Sequence, residues 1–168
     1  MCGTTQPTGK ILQAGDNIIV DFHPMYQTFM SDLSHNFILG KPSKEQQKLA
    51  DVYLSAAETL ITKLKAGNTI GEVWHTVNDN LTASGYIQYA VPFFGHGLGV
   101  LGHEWYPPIG NSEKFTGIVL EENVIEVGFL SITVPGVGGM RLECPVKVTP
   151  NGGEMLTSTP LAVTIIDI

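Results

Sequence analysis

The segment SKEQQKLADVYLSAAETLITKLKAGNTIGEVWHTVNDNLTASG, residues 43–85, decides the fold class because it has the features of two consecutive helices. Ser43 with Gln46, and Thr69 with Glu72, each match a capping box that satisfies backbone amides at a helix start. Each pattern closes on a glycine, the residue favoured just after a helix. Apolar residues recur in between at helical spacing: Leu49, Val52, Ala56, Leu60 and Leu64, then Val73, Val77 and Leu81. The segment therefore predicts a helical pair.

Extended segments flank the helices on both sides. Residues 17–22 form a short β-branched run, and residues 28–39 read as its returning strand, connected loosely through Pro24. After the helices glycine and proline become frequent, and strands are expected at about 118–120, 123–130, 140–148 and 161–167. A strand pair, two helices and a strand-rich half predict an α+β fold in one domain, residues 1–168.

Composition narrows the class of protein. The chain has 168 residues, a formal charge of −7 and only nine scattered basic residues, which argues against a nucleic-acid partner. An ordinary acidic soluble protein would explain this charge equally well. No apolar run reaches the roughly 18 residues of a membrane span, and no signal peptide is evident at the start. Cys2 and Cys144 form no CxxC pair, which suits a reducing cytoplasm. We therefore expect a cytoplasmic enzyme.

Two aspartates are the first candidate metal ligands. Asp21 lies within an apolar strand, where it would share a face with Ile19 and His23, and Asp32 lies 11 residues later on the returning strand. A hairpin could bring the two carboxylates together, and a divalent cation between them would remove their repulsion. The alternative is structural, with Asp32 capping a turn and Asp21 pairing with Arg141.

Histidines in a glycine-rich segment provide a second signal. Phe94-Gly95-His96-Gly97-Leu98-Gly99 surrounds one histidine with glycines, and His103-Glu104 follows. The segment is not a phosphate loop, because Val100 replaces the third glycine, and it is not the HExxH zinc motif. A buried structural histidine is the usual explanation of an isolated His, but two in one segment favour a functional site.

Two glutamates in apolar strands complete the candidate set. Glu126 lies between Ile125 and Val127, and Glu143 lies two residues after Arg141, with which it could form a plain salt bridge. Carboxylates with one imidazole suit Mn²⁺, Co²⁺, Fe²⁺ or Zn²⁺. Four carboxylates exceed what one ion needs, so we expect a pair of divalent ions about 3.5–4 Å apart.

The order and spacing of these motifs resemble the catalytic domain of the pita-bread metallopeptidases, which include methionine aminopeptidase, aminopeptidase P, prolidase and creatinase. The resemblance covers about residues 9–157. It implies that Asp21 holds one metal, His96 and Glu126 hold the other, and Asp32 and Glu143 bridge them. The further roles it implies are a proton shuttle at Glu126, a substrate hydrogen bond from His103, and orientation of Glu143 or contact with substrate by Arg141.

Departures from the family pattern bear on the substrate. Proline-specific members generally carry another histidine where this chain has Pro92, and a glycine is more typical than His23-Pro24 after the first aspartate. The resemblance implies a metal-dependent hydrolase of the Xaa-Pro dipeptidase or aminopeptidase type that acts on a small peptide. The alternatives are a creatinase-like hydrolase of a non-peptide C–N bond and an inactive interaction module.

The chain is also shorter than the family's catalytic domain and begins almost at the first aspartate. We therefore expect a pita-bread fold truncated on its N-terminal side, without the additional N-terminal domain of the creatinase and prolidase branch. The resemblance implies a curved, mixed or antiparallel sheet with helices on its outer face. An uncovered sheet edge favours a homodimer.

Overall fold

The computed structural model describes residues 8–104 and 107–168. Within them the helices are α1, Lys44–Lys63, and α2, Ile70–Ala83, followed by a 3₁₀ turn at Ile87–Tyr89. The strands are β1 Asn17–Phe22, β2 Met25–Tyr26, β3 Phe29–Met30, β4 Leu33–Leu39, β5 Gly95–Gly97, β6 Ile125–Val134, β7 Gly138–Thr149, β8 Gly152–Met155 and β9 Val163–Ile166. The α+β class is confirmed.

The strands form a four-stranded sheet, a three-stranded sheet and a small hairpin. The first is antiparallel, in the order β5-β6-β7-β8. The second has β4 at its centre, antiparallel to β1 and parallel to β9, while β2 and β3 pair with each other. The sheets are therefore mixed or antiparallel, as expected.

Helix α1 covers one face of the four-stranded sheet. A β-carbon on Gly128 of β6 would lie 3.6 Å from Leu60 Cδ2 and 3.7 Å from Leu64 Cδ1, so this face of β6 lies directly beneath the helix. Both leucines are fully buried. The other face of the same sheet is free of α1.

Both predicted capping boxes are present. The Ser43 hydroxyl accepts from the Gln46 amide while the Gln46 side chain accepts from the Ser43 amide, and Thr69 and Glu72 do the same for α2. Helix α1 ends at Lys63, four residues before the glycine that closes the pattern. Gly67 does adopt a positive φ of 91°, which serves the turn into α2.

Some sequence expectations about strands were wrong. Residues 118–120 form no strand, although Val119 forms an isolated bridge with Thr69. The segment 28–39 is divided into β3 and β4 by Ser31 and Asp32. The glycine-rich strands β5 and β8 were not expected, because glycine has low strand propensity, but their neighbours β6 and β7 supply the hydrogen-bonding partners.

Strand β1 is only partly buried, although its sequence is largely apolar. Ile19, Val20 and Phe22 are 39%, 42% and 42% exposed. The strand lies at the edge of its sheet and pairs only with β4 among the described residues. Its β-branched composition reflects the extended backbone and does not indicate burial.

Neither helix in the described part of the chain combines the length and apolarity needed to cross a lipid bilayer.

Candidate metal centre

The β1–β4 pair brings the two aspartates together, as the hairpin prediction required. Asp21 lies opposite Ser34, and continuing this register by two residues places His23 opposite Asp32, just beyond the paired strands. His23 Nδ1 lies 3.2 Å from Asp32 Oδ1, and His23 Nε2 lies 3.5 Å from Asp21 Oδ1. The imidazole therefore sits between the two carboxylates.

Strands β5, β6 and β7 bring His96 and Glu143 to one face of the other sheet. His96 pairs with Val127, and Phe129, two residues further along β6, pairs with Glu143. Directly opposed residues of antiparallel strands point to the same face. His96, Phe129 and Glu143 therefore share the face that lies away from α1.

Glu126 lies on the opposite face, which corrects its assignment as a ligand to the same site. It pairs with Gly97 and with Val146, and it is two residues from Gly128, whose face lies against α1. Glu126 is fully buried, and burial alone raises its pKa from 4.5 to about 8. Alternation along β6 directs this carboxyl into the core.

Side chains of β4 hold the two sheets against each other at the site. The Ser34 hydroxyl accepts from the Glu143 amide at 2.8 Å and donates to the Arg141 carbonyl at 3.0 Å. The Asn36 side chain accepts from the Arg141 amide and donates to its carbonyl, both at 2.8 Å. These hydrogen bonds join β4 to β7, although the two strands belong to different sheets. They fix the position of Asp32 relative to Glu143.

Two sets of ligand-type atoms result, and Asp32 belongs to both. Asp21, His23, Asp32 and Glu143 offer atoms within 4.8 Å of one another. Asp32 also groups within 4.8 Å with His96 and His103. Asp32 is 1% exposed and Glu143 3%. Glu126 belongs to neither set.

Arg141 forms ion pairs within the first set. Its Nε lies 3.3 Å from Asp21 Oδ2, and its Nη2 donates to Glu143 Oε1 at 2.5 Å. Its guanidinium carbon lies 5.2 Å from the centre of the Phe129 ring. The salt bridges weighed from the sequence for Asp21 and Glu143 are thus both present, and they coexist with the clustered carboxylates.

The two histidines of the glycine-rich segment stack on each other. Their ring centres are 3.8 Å apart, and the ring planes are nearly parallel. His96 is buried and His103 is exposed. The chain around His103 is held by Glu104, whose amide donates to the Gly97 carbonyl at 3.0 Å and whose carboxylate accepts from the Leu101 amide at 2.7 Å. His103 thus lies at the open side of the site.

Electrostatics identify His96 as a neutral imidazole. Burial is the main reason that its pKa falls from 6.5 to about 4. Nδ1 lies 3.1 Å from the Gly97 carbonyl, so it carries the proton, and the lone pair on Nε2 points toward Asp32 Oδ2 at 3.6 Å. Two acceptors facing each other in this way favour a cation between them.

The carboxylates of the site also have acceptor atoms without hydrogen-bond partners among the described residues. Burial, followed by the neighbouring Glu143, raises the pKa of Asp21 to about 6, and burial also raises the pKa of Asp32. Asp21 Oδ1, Asp32 Oδ1 and Glu143 Oε2 are buried without a hydrogen bond from any described residue, as is His96 Nε2. Buried acceptors of this kind are costly unless a proton donor or metal ion satisfies them, so these four residues fit a divalent metal.

Sequence reasoning missed two residues of this site. His23 was noted as an unusual residue, not as a neighbour of both aspartates. Phe129 was not considered, yet the turn between Val134 and Gly138 fixes the register that places it opposite Glu143. Counting outward from that turn would have found Phe129 and excluded Glu126.

Comparison with known proteins agrees with this fold. The model of metallopeptidase family M24 matches residues 1–150. The chain is 29% identical over 150 residues to the Xaa-Pro dipeptidase of Pyrococcus horikoshii, covering 89% of this chain and 42% of that protein. Its structure is similar to the X-Pro aminopeptidase of Thermotoga maritima, with a TM-score of 0.88 and 27% identity, covering 98% of this chain and 46% of that one. It is also similar to the Xaa-Pro dipeptidase of Bacillus anthracis, with a TM-score of 0.86 and 30% identity, covering 95% and 44%.

The fold is thus the pita-bread fold of metallopeptidases. The chain belongs to metallopeptidase family M24. It spans less than half the length of the curated relatives it matches.

Proposed function

We propose that this chain carries the site of a metal-dependent hydrolase that cleaves a small peptide, of the Xaa-Pro dipeptidase or aminopeptidase type. The convergence of Asp21, Asp32 and Glu143 around buried oxygens that no described residue satisfies carries the proposal. The relatives named as Xaa-Pro dipeptidases support this reaction class.

The two sets of ligand atoms suggest positions for two divalent ions, with Mn²⁺, Co²⁺, Fe²⁺ or Zn²⁺ suited to the donors. Asp21, Asp32 and Glu143 would hold one ion, and Asp32 with His96 would hold the other. Such ions acidify water and polarise a substrate carbonyl. Arg141 would orient Glu143 through the bond from Nη2 to Oε1, and His103 would donate a hydrogen bond to the substrate carbonyl.

A cavity of about 390 Å³ beside the site supports a small substrate. Ser31 and Leu33, which flank Asp32, contribute to its wall, and Phe29, Leu98 and Leu156 make the wall largely apolar. A volume of this size lies at the lower end of the range of small-molecule pockets. We therefore propose a dipeptide or an N-terminal residue with an apolar side chain as the substrate.

The test is hydrolysis of Ala-Pro, Met-Ala-Ser and creatine in the presence of Mn²⁺ or Co²⁺. We expect cleavage of at least one peptide, lost on chelation and in Asp32→Asn. Turnover of creatine alone would favour the creatinase-like alternative. Fewer than one divalent ion bound per chain at saturation would contradict the proposal.

One observation favours a second candidate, a non-catalytic module that retains the fold. Because Glu126 points into the core and Phe129 faces Glu143, no carboxylate of β6 reaches the site to move a proton. Melting temperatures distinguish the two candidates, since a cation that binds the folded state raises the melting temperature. An unchanged melting temperature with Mn²⁺ and Co²⁺, together with no turnover, would support the module.

We further propose that the chain forms a homodimer. Six apolar side chains on β1, β2 and β3 are exposed and lie within eleven residues of one another: Ile19, Val20, Phe22, Met25, Tyr26 and Phe29. Exposed apolar surface of this kind is usually covered by a partner. Light scattering coupled to size-exclusion chromatography should give twice the chain mass of 18.1 kDa, and a monomer at all concentrations would contradict the proposal.

A further inference from the structure

We propose that His23 is an additional ligand of the cation held by Asp21, Asp32 and Glu143, so that this position has a nitrogen donor. The inference rests on the proposed metal-dependent function and deepens it. A carboxylate-only position would accept Mg²⁺ or Mn²⁺ readily, whereas an added imidazole shifts preference toward Co²⁺ and Zn²⁺.

Geometry places the His23 ring inside the ligand set. Its two nitrogens lie 3.5 Å from Asp21 Oδ1 and 3.2 Å from Asp32 Oδ1, and a ring nitrogen is within 4.8 Å of the Glu143 ligand atom. Both aspartate oxygens are buried and receive no hydrogen bond from the described residues. The open coordination positions of Asp21 and Asp32 therefore converge on this ring.

Local sequence holds the histidine in this place. His23 follows β1 by one residue, and two-residue alternation gives it the same direction as Asp21. Pro24 restricts the residue before it to extended backbone, which continues the strand geometry. The Ser31 amide donates to the Pro24 carbonyl at 2.8 Å, which closes the β2–β3 hairpin and keeps His23 beside Asp32.

The competing explanation is that His23 is only a counter-cation for the two aspartates. Arg141 already forms ion pairs with Asp21 and Glu143, so positive charge is present in the site without the histidine. The buried oxygens Asp32 Oδ1 and Glu143 Oε2 remain without a hydrogen bond from the described residues even with both basic groups in place. A metal ion among these oxygens would satisfy them, whereas the ion pairs with Arg141 and His23 leave them without a hydrogen bond.

The two explanations predict opposite results when His23 is replaced. If His23 is a ligand, its loss weakens cation binding. If it is a counter-cation, its loss removes a competitor of the metal ion and strengthens binding. The experiment is titration of the whole chain with Co²⁺ and with Mg²⁺ by calorimetry, for wild type, His23→Ala and His23→Gln. His75→Gln is the matched control, because His75 lies on α2 and contacts Trp74.

We expect His23→Ala to weaken Co²⁺ binding by at least about tenfold, with a smaller effect on Mg²⁺. The visible absorption of bound Co²⁺ should change at the same time, because a nitrogen donor is replaced by water. His23 is partly exposed, so both variants should melt as the wild type does without metal. The control should match wild type in affinity and spectrum.

Three results would overturn the inference. Equal Co²⁺ affinity and an unchanged spectrum in both variants would remove His23 from the coordination sphere while leaving the proposed function standing. Tighter binding in both variants would show that the histidine competes with the cation. Failure of the wild type to bind any Co²⁺ would overturn the proposed function as well. Co²⁺ binding by the wild type therefore distinguishes failure of the His23 inference alone from failure of the proposed function.

Discussion

Phe129 lies directly opposite Glu143 in the β6–β7 ladder, and its buried ring packs between Phe93 and the guanidinium of Arg141. The Phe93 and Phe129 rings stack with centres 4.5 Å apart, and Arg141 lies 5.2 Å from the Phe129 centre. The floor of the candidate metal centre is therefore aromatic on its β6 side. Its acids come from β1, β7 and the residue before β4.

Phe129→Glu should create a new acid on this floor. We expect lower stability without metal, by about 3–5 kcal/mol, because a buried aromatic ring is lost. The added carboxylate opposite Glu143 should increase Co²⁺ affinity, so Co²⁺ should recover part of that stability. Urea unfolding with and without Co²⁺ measures both effects.

Phe129→Gln is the control for that substitution, because it removes the ring without adding charge. It should lose similar stability and gain no affinity for Co²⁺. Equal responses of the two variants to Co²⁺ would mean that position 129 does not face the cation.

Glu126→Gln should make folding less dependent on pH. The pKa of Glu126 is raised to about 8, so at intermediate pH the folded chain keeps a proton that the unfolded chain has released. Its contribution to stability is fully present below pH 4.5 and is lost as the pH rises through about 8, by at most about 1.4 kcal/mol per pH unit.

The measurement is urea unfolding of wild type and Glu126→Gln at about pH 5 and about pH 8. The stability of the variant relative to wild type should increase with pH, because glutamine stays neutral. Co²⁺ affinity should be the same in both proteins. A tenfold weaker affinity for Co²⁺ in the variant would instead indicate that Glu126 is a ligand of the metal centre.

Asp32→Asn should affect cation binding more than any other single substitution, because Asp32 belongs to both sets of ligand atoms. Calorimetry should show Co²⁺ binding weakened by about 100-fold or more, and the rise in melting temperature with Co²⁺ should disappear. Asp51→Asn, an exposed change on α1, serves as the control. Undiminished Co²⁺ binding in Asp32→Asn would contradict the assignment of Asp32 as a metal ligand.

Arg141→Met should destabilise the metal-free chain more than the metal-loaded chain. The guanidinium balances Asp21 and Glu143 when no cation is present, and Glu143 is buried. Removing one partner of a buried ion pair costs about 3–5 kcal/mol, and the partial exposure of Arg141 lowers this toward about 2 kcal/mol. Thermal unfolding in chelator and in saturating Co²⁺ gives the two values. Equal losses would mean that Arg141 does not share its carboxylates with the cation.

Local patterns allowed several features to be predicted. The sequence correctly predicted the capping boxes at Ser43 and Thr69. It also predicted the buried faces of the two helices, which carry Leu49 and Leu60 on α1 and Val73 on α2. These features depend on residues three or four apart on one helix, so the sequence contains the whole interaction. The order of the acidic and histidine motifs likewise predicted the family that the comparison then showed.

The faces of the strands were decided by pairing between distant segments. A one-residue change of register reverses every side chain, so an acid in an apolar strand is consistent with either face. Glu126 was assigned to the site on its local sequence, and the ladder with β5 and β7 turns it toward α1. Ser34 and Asn36 gave no local signal either, because their role is to bind the backbone of β7.

The sequence by itself determined the two helices, the α+β class and the presence of Asp21, Asp32, His96 and Glu143. Only the tertiary structure decided which of the acids share a face, that His23 lies between two of them, and that Phe129 occupies the floor. The physical reason is that helix signals are local. A metal centre made by two sheets depends on strand register and on contacts such as that of Ser34 with Glu143, which join residues far apart in the chain.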